Sequence, residues 1–239
     1  MEIGLVFILG LVMGSFFNVI GIRLLKGESL AFPPSHCTSC GHKLGPLDLI
    51  PVLSYIFLRG KCRYCKNQIS PIYCIGELLT GITFAFLFWR FNLSVELLIH
   101  LVIGSMLVIS VITDIQEKIV VNEVVLTALG LVLILRLLNW RDIAYYSMSA
   151  VGVFAFMYLL FVLSGEKIGG GDVKLYIVIA LALGAWATFI SLFYASTLAL
   201  ILIGPLMLMK KVRRNYEIPF VPFIWAGVIL TYIWPIVVV

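Results

Sequence analysis

The feature that most constrains this chain is a succession of apolar stretches long enough to cross a lipid bilayer. A helix rising about 1.5 Å per residue needs about 20 residues to span the hydrocarbon layer. Eight stretches are candidates: 3–22, 72–91, 95–113, 123–138, 143–164, 173–189, 191–209 and 220–238. The first has Glu2 where a signal peptide would start basic, runs long, and lacks a small-residue cleavage site, so it reads as a span. The fourth is short and the sixth and seventh nearly touch, which leaves six or seven spans open if a segment is re-entrant. Composition removes the soluble alternatives. Hydrophobic residues make up 62% and charged ones 12%, against about 25% charged in an average soluble domain. A globule of 239 residues could not hide that apolar surface. A cytoplasmic enzyme, a disordered chain and a fibrous one are excluded. The reading is an all-α polytopic membrane protein with about eight transmembrane helices.

Charge sets the orientation. The net charge is +5, which in a soluble protein would suggest nucleic acid; here it reflects basic loops, and no nucleic-acid role is expected. With the N-terminus outside, the inner loops 23–71, 114–122, 164–172 and 210–219 hold thirteen of the seventeen Lys and Arg. The reverse orientation would place the run Lys210–Arg214 outside. N-out, C-out and an even span count follow, with that run serving as a stop signal that also touches anionic membrane lipids. Gly10 and Gly14, and Gly76 with Gly81, permit close helix packing. Three regions result: a first transmembrane helix at 1–22, a cytoplasmic loop at 23–71, and a seven-helix membrane core at 72–239.

The loop carries two C-x-x-C pairs, Cys37 with Cys40 and Cys62 with Cys65, separated by 21 residues. Each pair presents two thiolates from one tight turn, and two such knuckles complete a tetrahedral zinc shell. Four thiolates leave no open position, so such a zinc is structural, supplying folding energy to a small core. Reduced thiols without metal and redox chemistry stay open; a reducing cytoplasm disfavours structural disulfides. Gly41 and Asn67 follow the pairs, where the turn needs unusual backbone angles. The apolar segment 47–58 between the knuckles lies on the membrane surface or forms the loop's own core.

Acids near spans need an account, because charge in a bilayer is expensive. Asp114 ends the third span, and Asp172 opens the sixth after Gly169-Gly170-Gly171. They are 58 residues apart in sequence but at the same depth. Two nearby carboxylates share a proton, so one activates water while the other polarises a carbonyl, which hydrolyses an amide without a metal. Helix capping by Asp172, ion coupling and ordinary interface roles remain open from spacing alone. Asn18, Arg23 and Glu77 are weaker polar candidates, with Glu77 expected to pair with Arg23 or Lys174.

Taken together, these residues resemble the bacterial type IV prepilin peptidases, the prepilin leader peptidase/N-methyltransferases with GxGD-type aspartyl chemistry. The likeness runs through Gly14-Ser15-Phe16-Phe17-Asn18-Val19 with Arg23, the four cysteines, Leu58-Arg59-Gly60-Lys61-Cys62, Ile69-Ser70-Pro71, Glu77-Leu78-Leu79-Thr80-Gly81, Gly169-Gly170-Gly171-Asp172-Val173-Lys174-Leu175, and Ile218-Pro219-Phe220 with Pro222-Phe223. The family's two essential aspartates map onto Asp114 and Asp172. The resemblance implies cleavage of a basic leader from type IV prepilins or pseudopilins at the cytoplasmic face of the bacterial inner membrane. It also implies N-methylation of the new N-terminus from S-adenosylmethionine, and zinc on Cys37, Cys40, Cys62 and Cys65. Two departures stand out. The stretch Ile119-Val120-Val121-Asn122 lacks the usual proline, and Leu24-Leu25 follow Arg23 where a proline is usual. A basic leader meeting a basic loop needs an offset from Glu77, Glu117, Glu166 or lipid. The rival classes are an ion-coupled transporter using the aspartates and a non-catalytic scaffold.

Overall fold

The structure is a computed structural model that describes residues 1–138, 140–165, 168–209 and 218–234, without the side chains of 141 and 208. The Lys210–Arg214 run, Glu166 and the end of the last expected span lie outside the described residues. The chain is helical: α1 (Glu2–Leu25), short α2 (Leu53–Phe57), α3 (Ile72–Phe91), α4 (Val95–Glu117), α5 (Asn122–Leu138), α6 (Ile143–Leu163), α7 (Gly170–Leu183), α8 (Ala185–Leu208) and α9 (Val221–Ile233). Among the described residues, extended pairing is confined to two isolated bridges, His36 with Lys43 and Lys61 with Gln68.

The eight predicted stretches are occupied by helices. Five of these, α1, α3, α4, α6 and α8, are long and apolar enough to cross a membrane. The others, α5 with 17 residues, α7 with 14 and α9 with 13, fall short of the length of a full crossing. Tyr158, Leu159, Phe193 and Leu200 stand exposed on α6 and α8, a surface suited to lipid and not to water. The chain is an integral membrane protein.

One boundary differs from the sequence reading. The break between the sixth and seventh stretches is expected near 190 and lies at Gly184, whose φ of +80 ends α7 and opens α8. Ser191, the first residue of the seventh expected stretch, sits inside α8 and donates its hydroxyl to the Thr188 carbonyl at 2.8 Å. Bonded back to its own helix, a serine need not end it.

Two compact units divide the chain, 1–93 and 94–239. In the first, α1 packs on α3, the helix that the sequence reading groups with the later ones. A Cβ on Gly10 would lie 2.8 Å from the Gly81 Cα, and one on Gly14 would lie 2.7 Å from the Glu77 Cα. The two backbones meet where side chains are missing, as small residues allow in lipid. Arg23, in the last turn of α1, donates to the carbonyls of Ser29 and Leu30 at 2.8 and 3.2 Å and to that of Pro33. It thereby fastens the start of the loop to the helix end.

In the second unit, α4 and α7 are the enclosed pieces. Every residue from Met106 to Asp114 on α4 is buried, and so is every residue from Leu175 to Ala182 on α7 apart from the half-buried Ile177. A helix that is apolar all round belongs inside a bundle.

Candidate functional site

Asp114 and Asp172 come from these two enclosed helices. Asp114 lies in the last turn of α4 and is 7% exposed. Its Oδ2 accepts the backbone N–H of Val221 at 2.9 Å, and the Phe220 N–H also reaches the carboxyl. The start of α9, with the Pro219 and Pro222 that flank it, therefore turns its free amides onto the acid. Helix α4 then closes on Lys118, held at φ +57, with its N–H on the Asp114 carbonyl at 3.0 Å.

Asp172 is the third residue of α7, and Gly169 is the N-cap. Capping by Asp172, left open by the spacing, is therefore not what the helix uses. The first turn of α7 is instead seated against the segment that follows α4. A Cβ on Gly171 would lie 2.8 Å from the Val120 side chain, and Lys174 Nζ donates to Asn122 Oδ1 at 2.7 Å. The turn that carries Asp172 is thereby set beside the end of the helix that carries Asp114, within electrostatic range of it. The two acids thus share one site, with Ser110 and Tyr176 buried one turn further along their helices. A half-covered acid beside an almost covered one, with backbone amides aimed at the second, can hold water between two proton-exchanging groups.

The first unit holds two further features. Cys37, Cys40, Cys62 and Cys65 bring their sulfurs within 4.8 Å of one another, positioned to bind a metal ion. All four are free thiols. The two knuckles repeat one geometry. The Cys37 N–H bonds the His42 carbonyl and the Cys62 N–H bonds the Asn67 carbonyl, at 2.9 and 2.8 Å. The residue after each pair takes a positive φ, +70 at Gly41 and +62 at Lys66. The sequence reading puts that role on Asn67; the turn places it one residue earlier. His36 and His42 are engaged away from the sulfurs, His36 on the Pro34 carbonyl and His42 against the Tyr64 ring. The 47–58 segment forms a 3-10 turn, Pro46–Asp48, and α2, with Leu47, Leu53, Ile56 and Phe57 exposed, so it is a surface and not a core.

Below the knuckles lies a cavity of about 420 Å³, within the range of about 300–1,000 Å³ usual for small-molecule sites. Glu77 lines it and is 8% exposed. Neither expected partner holds Glu77: Arg23 is on the loop carbonyls and Lys174 on Asn122. Its Oε2 accepts the Val52 N–H at 2.7 Å, with Ser15 nearby. Val52 has φ 61 and ψ −48, with the Leu53 N–H on the Pro51 carbonyl at 2.6 Å. This is the strained form of γ-turn, rare for any residue and rarer for a β-branched one. The sequence signals Glu77 as an acid in a span but carries no sign of Val52, whose partner is 25 residues away.

Two family models match the chain. The Bacterial Peptidase A24 N-terminal domain covers residues 8–91 and the Type IV leader peptidase family covers 101–204. The chain is similar to the prepilin leader peptidase/N-methyltransferase of Bacillus subtilis strain 168, 33% identical over 97% of this chain and 94% of the relative. It is also similar to proteins of that name in Pseudomonas putida, 28% identical over 95% and 88%, and Klebsiella pneumoniae, 33% identical over 75% and 82%. No solved structure matches.

Proposed function

This chain belongs to the type IV leader peptidase family, and on that premise we propose that it is a membrane aspartyl endopeptidase cleaving the leader of type IV prepilins or pseudopilins, and that it methylates the new N-terminus. The observation that supports the peptidase reading is the seat of the Asp172 turn against the segment that directly follows Asp114, through Gly171 on Val120 and Lys174 on Asn122. In the reaction, one carboxylate takes a proton from water as the water attacks the peptide carbonyl. The other, protonated, donates to the carbonyl oxygen and then to the leaving amine. Asp114 Oδ2 accepts the Val221 amide at the start of α9, which holds the carboxyl in place. The site opens to the cytoplasm, and the leader reaches it from that side of the bacterial inner membrane. The transporter and scaffold readings are not favoured, since the family is one of peptidases.

The four cysteines fit zinc. Bonds of about 2.3 Å in a tetrahedron put sulfurs about 3.8 Å apart, and Cys37 and Cys65 Sγ are 3.9 Å apart. Bound there, zinc would tie the two knuckles together and supply folding energy. The methyl donor, S-adenosylmethionine, would supply an electrophilic methyl group, and the cavity that Glu77 lines is the place we assign to it.

Cleavage of a purified prepilin-like substrate by the full chain in detergent tests the reading. Asp114→Asn and Asp172→Asn each should lose activity by about 10²-fold or more. Full cleavage by either variant rejects the mechanism.

A further inference from the structure

A buried carboxylate usually has a cation beside it. Among the described residues, Glu77 is held instead by the neutral Val52 amide, with the neutral Ser15 nearby. Of the three Lys and Arg side chains in the cavity lining, two are held by other groups and the third stands at the surface. Arg23 holds the Ser29 and Leu30 carbonyls, Arg63 holds Asp48 at 2.6 Å, and Lys26 lies exposed past the end of α1. The same cavity presents two aromatic side chains, Tyr55 and Tyr73, whose ring faces attract positive charge. The Val52 turn adds a second sign of function. Strained backbone persists where the surroundings over-determine it, and it clusters at ligand sites. Here the strained amide is pinned to the same carboxylate.

We propose that this cavity binds a sulfonium nucleoside, the methyl donor of the second activity, with Glu77 holding its positively charged sulfur. The inference deepens the methyltransferase reading and rests on it. On methyl transfer to an amine, the carbon–sulfur bond breaks with its electron pair left on sulfur. The nitrogen gains the methyl group and sheds a proton to water. The sulfur becomes a neutral thioether, and its attraction to Glu77 is lost, so the spent nucleoside leaves more readily than the donor.

The test is binding to the full chain in lipid nanodiscs, measured by calorimetry without any prepilin substrate. S-adenosylmethionine should bind roughly tenfold more tightly than S-adenosylhomocysteine, a difference of about 1.4 kcal/mol. Glu77→Gln should bring the two to equal affinity. Ser54→Phe, which puts a ring into the cavity from α2, should weaken both, and it serves as the deciding variant if Glu77→Gln does not fold. Equal affinities in the unaltered protein, a preference that survives Glu77→Gln, or full binding by Ser54→Phe would each overturn the proposal. Asp114→Asn should bind both as the unaltered protein does. Failure of the peptidase mechanism would therefore appear in cleavage and leave these affinities unchanged.

Discussion

Arg136, in the last turn of α5, grips Glu96, in the first turn of α4, with Nη1 on Oε1 at 2.6 Å and Nη2 on Oε2 at 3.2 Å. The same guanidinium donates to the Leu181 carbonyl at 3.4 Å and to that of Ala182, and it lies 3.6 Å from the centre of the Tyr146 ring. One side chain, 1% exposed, thus joins four helices and neutralises the negative end of α7. Glu96 and Asp114 are 18 residues apart on one helix, or about 27 Å. This clamp therefore acts on stability and not on the acid site.

Arg136→Met should lower stability by about 2–3 kcal/mol, because it strands two carbonyls and a carboxylate. Glu96→Gln should cost less, since Glu96 is 37% exposed. Thermal unfolding in detergent measures both. The pH profile of cleavage should be unchanged in either variant.

The seat of α7 on the segment after α4 predicts a suppressor pair. Gly171→Ala would drive a methyl group into Val120, shift the turn that carries Asp172, and lower kcat by about tenfold with the fold intact. Adding Val120→Ala should restore most of the loss, a coupling of about 1 kcal/mol. Kinetics of the single and double variants decide it; additive losses would mean that the contact does not position Asp172.

Metal removal should expose a graded set of thiols. The backbone N–H groups of Cys40 and Ser39 lower the Cys37 thiol to about 6. For Cys65, the Asn67 N–H pulls the thiol down, but desolvation and the neighbouring thiols push it up to about 11. At about pH 7.5, between these values, the chelator-treated protein should alkylate faster at Cys37 than at Cys65, read by peptide mass after short pulses. Restoring the metal should protect all four.

Asp48 accepts from Arg63 Nε at 2.6 Å, Gly45 N–H at 3.1 Å and Tyr64 Oη at 3.3 Å. The Arg63 hydrogen bond, with help from the Gly45 amide, holds its carboxyl below the usual carboxylate range. A folded value below the unfolded one means stability that is fully present above the unfolded value, about 3.9, and lost as pH falls through the folded value. Acid unfolding of the loop, followed by hydrogen exchange at the knuckles, should be shallower in Asp48→Asn than in the unaltered protein. Equal acid sensitivity would mean that Asp48 does not hold the loop.

Much of this was legible in the sequence. Apolar length located the helices, and the paired C-x-x-C spacing located the four thiols positioned to bind a metal ion, because both are properties of a few neighbouring residues. The acids at 114 and 172 could be placed at one depth by counting crossings. Two local differences had local causes: Gly184, with φ +80, breaks the helices before the expected gap near 190, and the positive φ fell on Lys66 one residue before Asn67.

What the sequence by itself determined was the helical membrane class, the cysteine pairs and which acids stand near span ends. Only the tertiary structure decided that α9 aims its amides at Asp114, that Arg136 closes the far end of α7, and that Glu77 faces a cavity clipped to Val52. The physical reason is distance along the chain. Hydropathy and spacing record what each segment buries, whereas these contacts join segments 25 to 107 residues apart and exist only once the helices have chosen their neighbours.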